Sequence, residues 1–130
     1  MDAEVLKKRS KQLALKGIRL FQELPQTTEA RILGKQLLRS ITSVAANYRA
    51  ACRARSQAEF FSKLSIVVEE ADETLLWLDL LIEANIVNEA TIQSLYKEAQ
   101  ELLYIFSASR KTVKNNLKTK KSSHLQSSDE

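Results

Sequence analysis

Pro25 is the only proline in a chain of 130 residues, and Gly17 and Gly34 are its only glycines. These are the residues that interrupt a helix, and here almost nothing does. Apolar residues recur at intervals of three and four, and no useful length alternates between apolar and polar. The spacing therefore predicts a chain that is helical nearly throughout.

Four helices fit the punctuation. The first covers about 3–23, with Leu13, Gly17, Leu20, Phe21 and Leu24 as its apolar stripe, and Pro25 ends it. Thr27 or Thr28 is placed to cap the second. Its stripe is Leu37, Ile41, Val44, Tyr48 and Ala51, and it runs to about Arg53. Ser56 and Glu59 match a capping box, so the third helix starts there and continues to about Glu83. Its predicted core stripe is Phe60, Leu64, Val67, Ala71, Leu75, Leu78 and Ile82. Asn88 caps the fourth, whose stripe runs from Ile92 to Val113. Residues 115–130 are polar and rich in lysine and serine, with little to bury, and are expected to form a disordered tail. Helices of about 20–28 residues with short connections predict an all-α, antiparallel up-down-up-down four-helix bundle over residues 1–114.

Composition removes several functions. The only histidine, His124, falls in the tail, so no histidine-based metal site or catalytic dyad can form within one chain. Two isolated helical glycines cannot build a phosphate loop. Glu69, Glu70, Asp72 and Glu73 form an acidic cluster that could hold a divalent ion, but neighbouring helical carboxylates diverge, so the cluster reads as a solvated face. Cys52 flanks the core stripe and reads as packing. No cofactor, metal or enzymatic activity is expected. No segment has the roughly 18 consecutive apolar residues of a membrane span. The start, MDAEVLKKRSKQ, lacks a signal peptide's apolar stretch, and a lone cysteine fits a reducing compartment, so the expected location is the cytoplasm.

Charge is distributed in blocks. Residues 1–55 carry 12 basic and 4 acidic side chains, 56–101 carry 2 and 10, and 102–130 carry 6 and 2. On the second helix, the side opposite the core holds Lys35, Arg39, Thr42, Ala46, Arg49 and Arg53. Arg55, in the corner that follows, extends the set. Such a stripe can neutralise phosphates in a largely sequence-independent way. It is also what any solvated helix face looks like, and its arginines can instead meet Glu70 or Glu73 of a neighbouring subunit. No aromatic residue interleaves it, so duplex or structured-RNA backbone suits it better than stacked single strands.

The third helix carries more apolar surface than one core covers. Ile66, Trp77 and Leu80 lie well round from its stripe and share their side with Glu70 and Glu73, which marks an interface for self-association. The alternative is that Trp77 packs on the first or fourth helix of its own chain.

Residues 36–81 are also similar to a known family. Arg39-Ser40 with Ser43-Val44, then Asn47, the basic alanine-rich stretch from Arg49 to Arg55, and Ser56 with Glu59-Phe60 resemble the hallmarks of a bacterial four-helix-bundle family. That family is named for proteins encoded in intervening sequences of large-subunit rRNA genes. Where many members have Ala-Glu-Gly after the asparagine, this chain has Tyr48-Arg49-Ala50. The resemblance extends over about residues 6–113. It implies a homopentameric ring and kinship with accessory variability proteins of diversity-generating retroelements, which bind nucleic acid and a reverse transcriptase. Two functions are thus expected: a non-enzymatic oligomer gripping RNA or DNA, or a protein-interaction scaffold with no nucleic-acid role.

Overall fold

Each helix begins where a short polar side chain can catch its free N–H groups. The computed structural model describes the backbone of residues 2–129 and the side chains of residues 2–121. Its helices are α1 (Ala3–Glu23), α2 (Thr28–Cys52), α3 (Gln57–Glu83) and α4 (Glu89–Asp129), and no strand occurs among the described residues. Asp2 caps α1, its carboxylate accepting from the Val5 N–H at 2.9 Å. Thr27, rather than Thr28, caps α2 through the Ala30 N–H. Ser56 accepts from the Glu59 N–H at 3.1 Å. The expected capping box is only half formed, since Glu59 accepts from the backbone of Arg55 at 3.4 Å and not from Ser56. Asn88 caps α4, accepting from Ala90 at 2.9 Å.

Pro25 separates α1 from α2. The turn between α3 and α4 depends on Asn85, which adopts a φ of 59°, a left-handed conformation that asparagine tolerates well. Ile86 and Val87 then donate back to the Leu81 carbonyl at 3.0 and 3.1 Å and close the end of α3.

α1 packs on α2, α2 on α3, α3 on α4 and α4 on α1, with diagonal pairs apart, as an antiparallel up-down four-helix bundle requires. Across the core diagonal, the rings of Tyr48 and Phe106 lie 4.9 Å apart. Both glycines lie where a side chain of the neighbouring segment presses against the helix backbone. A Cβ on Gly17 would stand 2.8 Å from two carbons of Ile41, and one on Gly34 would stand 2.6 Å from Leu24.

The α2 stripe lies buried as its period requires, and Lys35, Arg39, Thr42, Ala46, Arg49 and Arg53 are all exposed. α3 departs from its predicted phase. Its buried residues are Leu64, Val67, Ala71, Thr74, Leu78 and Leu81, at alternating steps of three and four, while Phe60, Leu75 and Ile82 are only half-buried. The rotation follows from Thr74. This polar residue is fully buried because its hydroxyl lies 3.0 Å from the equally buried Ser40 Oγ and 2.8 Å from the Glu70 carbonyl.

α4 continues as helix through the segment expected to be a disordered tail. No proline or glycine follows Gly34 to stop it. From Lys114 to Lys121 every side chain is exposed except that of Leu117, which is half-buried. The side chain of His124 and the last residue, Glu130, lie outside the described residues.

Candidate functional site

The outer face of α2 divides into three parts once its neighbours are in place. In the middle, Arg39 reaches α3. Its guanidinium pairs with Glu70 at 3.2 Å and with Glu73, which also accepts from Nε1 of Trp77 at 3.2 Å. The hydrogen bond to Glu73 is the main cause that raises the Arg39 pKa above its ordinary value. Arg39 thus departs from the expected open stripe, because carboxylates of its own chain hold it. Glu70 and Glu73, expected to face another subunit, are the groups that hold it.

Towards the start of α2, Lys35 is exposed and lies about 21 Å along the axis from Arg49. Towards the end, Arg49 and Arg53 form no ion pair among the described residues. They form one side of a surface groove of about 670 Å³ between α1 and α2. Lys7, Lys8 and Lys11 of α1 form the other side, and Ala14, Thr42, Ala45 and Ala46 form its floor. Small floor residues let a ligand approach close to both helices. Glu4 is the groove's one acidic residue and is paired with Lys7 at 2.6 Å.

The phase of α2 alone does not point to Lys7, Lys8 and Lys11. Their signal is the run KKRSK, which an antiparallel hairpin sets beside the end of α2. Arg9 of that run turns the other way. It forms a two-pronged bond to Glu98 of α4 at 2.8 and 3.0 Å and a further pair with Glu101 at 3.2 Å. That bond ties α1 to α4. Arg55 lines a neighbouring cavity with Ala3, Cys52 and Phe60.

Asp79, Glu83 and Glu89 line a second groove with Tyr96, whose pKa is raised chiefly by its hydrogen bond to Asp79. This groove, at the other end of the bundle, has three carboxylates against one basic lining residue, Lys97. Among the described residues no cluster of metal-ligating side chains occurs, and no helix is long and apolar enough to cross a membrane.

The expected oligomer interface is partly drawn into the bundle. Trp77 is half-buried against the core, and Ile66 is half-buried. Of the three apolar residues expected there, only Leu80 is exposed, at 36%, one turn beyond Leu76 at 49%.

Residues 2–108 match a family described as 23S rRNA-intervening sequence protein. Among solved structures, the chain is similar to a protein of unknown function from the S23 ribosomal protein family of Bacteroides thetaiotaomicron VPI-5482. The two are 33% identical, with a TM-score of 0.79 over 85% of this chain and 99% of the other. No curated protein matches.

Proposed function

The chain belongs to the 23S rRNA-intervening sequence protein family, and from that premise we propose that it binds the phosphate backbone of structured RNA through the groove between α1 and α2. The observation that carries this reading is the convergence of Lys7, Lys8, Lys11, Arg49 and Arg53 around one groove with a single carboxylate among them. All of these cations except Lys7, which Glu4 holds, lack an ion-pair partner among the described residues, and a row of phosphates relieves the repulsion between them. No aromatic residue lines the groove, so bases have no platform to stack on, and a helical backbone is the natural ligand. In this reading the protein holds its ligand and performs no chemistry on it.

Affinity for a hairpin RNA, followed by fluorescence anisotropy over a salt series, tests the idea. Each phosphate contact contributes a little under one unit to the slope of log K against log salt. The Arg49→Gln/Arg53→Gln variant is expected to lower that slope by about two. Absence of binding at about 50 mM salt, or an unchanged slope in the variant, would remove the groove from consideration.

Leu76 and Leu80 favour a second, compatible reading. Two exposed leucines one turn apart on α3 suit self-association, which leaves the groove open on the other side of α2. Leu76→Asp/Leu80→Asp should then shift the particle to lower mass on a sizing column. An unchanged mass would exclude this face.

A further inference from the structure

Among the described large apolar residues Tyr104 of α4 is the most exposed, at 80%. Helical phase accounts for that: it sits two residues from both Leu102 and Phe106, which face the core, and so points away from them. It makes no hydrogen bond or ring contact among the described residues. A lone exposed tyrosine is ordinary. The residues that follow this one along the helix are not.

Lys111 and Lys118 come after Tyr104 at steps of seven, two turns each, so the three share a face that drifts by about 20° per step. Lys114 and Lys121 each stand one turn further on, along the same side. All four lysines are exposed and none has an ion-pair partner among the described residues. No carboxylate occurs between Glu101 and Asp129, and Glu101 is taken by Arg9. Arg110 is turned aside, its Nε donating to Ser65 at 2.8 Å and its guanidinium lying 4.7 Å from the centre of the Phe61 ring. On the other side of Tyr104, Lys97 belongs to the acidic groove. The strip therefore starts at the tyrosine ring and runs about 25 Å to Lys121.

A ring followed by a row of cations suits an unpaired strand, whose bases are free to stack while its phosphates meet the lysines. A duplex keeps its bases stacked inside and makes no use of the ring. The groove between α1 and α2 has the converse composition, cations with no aromatic residue. We propose that the outer face of α4 binds an unpaired nucleic-acid strand, with Tyr104 as the stacking platform and Lys111, Lys114, Lys118 and Lys121 as the backbone contacts. The site stands independently of the groove.

The test uses the full chain and a fluorescent oligouridine of about 12 nucleotides, titrated by anisotropy over a salt series. Tyr104→Ala should weaken binding about tenfold, the size of one lost base stack, and leave the salt slope unchanged. Tyr104→Trp should bind at least as tightly as wild type. On a strand of the same length without bases, Tyr104→Ala should cost nothing. Lys111→Gln/Lys118→Gln should lower the slope by about 1.4, since each single-strand phosphate contact contributes about 0.7. Oligothymidine should bind much as oligouridine does, because neither tyrosine nor lysine reads the sugar. Tyr104 is exposed, so circular dichroism and thermal unfolding of Tyr104→Ala should match wild type. No binding at about 50 mM salt, or an unchanged affinity in Tyr104→Ala, overturns the inference. An equal loss on the strand without bases overturns the stacking role, and a strand held only as RNA overturns the contacts assigned. If Arg49→Gln/Arg53→Gln loses oligouridine while Tyr104→Ala does not, the strand lies in the groove, and this face falls while the groove stands.

Discussion

Arg39 on α2 holds Glu73 on α3, and Glu73 accepts from Trp77 one turn further along. Residues that helical phase assigns to two separate surfaces, one for a polyanion and one for a second subunit, are thereby joined in a single cluster on the α2–α3 seam. The consequence is a division of labour along one helix face. Arg39 secures the bundle, and Arg49 and Arg53 are left to the solvent.

That division predicts opposite phenotypes. Arg39→Ala should lower stability by about 1 kcal/mol or less, because the arginine side chain is half exposed and water weakens its pairs. Its RNA salt slope should stay within about half a unit of wild type, whereas Arg53→Gln alone should lose about one. Urea denaturation and anisotropy titration on the same two proteins give both numbers. A slope loss in Arg39→Ala equal to that of Arg53→Gln would return Arg39 to the binding surface.

Helical phase reads α2 correctly because its apolar stripe is unbroken from Leu37 to Ala51, so every outward cation follows from it. α3 is harder. Its core includes Thr74, whose hydroxyl bonds the Glu70 carbonyl of its own helix and meets Ser40 of α2, and no scan for apolar residues credits a threonine with burial. Skipping it turns the predicted face towards Leu75 and Ile82 and leaves Trp77 looking more exposed than it is. The groove is harder still. Lys7 and Arg49 are distant in sequence, and only the antiparallel pairing of α1 with α2 sets them on facing walls. At the far end of α4 the composition shows that nothing needs burying, which the structure shares. It does not show that an uninterrupted helix lacks a reason to stop.

The close approach of α1 to Ile41 of α2 depends on Gly17. A methyl group there would meet both Cδ1 and Cγ2 of Ile41 at 2.8 Å, and Ile41 is fully buried with nowhere to retreat. Overpacking of this kind costs about 1–3 kcal/mol, against which the better helix propensity of alanine returns about 1. Gly17→Ala should therefore be destabilised by roughly 1 kcal/mol in urea. Adding Ile41→Val, which removes one of the two obstructing carbons, should recover part of the loss. A stabilised Gly17→Ala protein would mean that α1 and α2 stand further apart than described.

Ser40 and Thr74 should behave as a coupled pair. Thr74→Val keeps the shape and removes the hydroxyl, while Ser40 retains its bond to the Leu37 carbonyl at 3.2 Å. No buried group is orphaned, so the expected cost is about 0.5–1.5 kcal/mol. Ser40→Ala leaves Thr74 bonded to the Glu70 carbonyl and should cost a similar amount. Because both single variants lose the same contact, the double variant should cost less than their sum. Strict additivity in denaturant midpoints would show that the hydroxyls do not interact.

Tyr48 links the core to alkaline pH. Burial is the main cause that raises its hydroxyl pKa, with the neighbouring Cys52 adding to it, so the folded bundle favours the neutral phenol. In the unfolded chain a tyrosine ionises near pH 10. The sign follows from the raised value: the contribution is complete below about pH 10 and is lost as pH climbs above it, because only the unfolded chain releases the proton. Tyr48→Phe keeps the ring beside Phe106 and removes the titrating group. Lysine deprotonation acts equally on both proteins and cancels in the comparison. Melting temperatures measured from about pH 8 to about pH 11 should thus fall less steeply in Tyr48→Phe than in wild type. Tyr96, raised by its bond to Asp79, remains in both proteins and leaves a residual slope of the same sign. Parallel curves across that range would mean that the Tyr48 hydroxyl ionises as easily in the bundle as outside it.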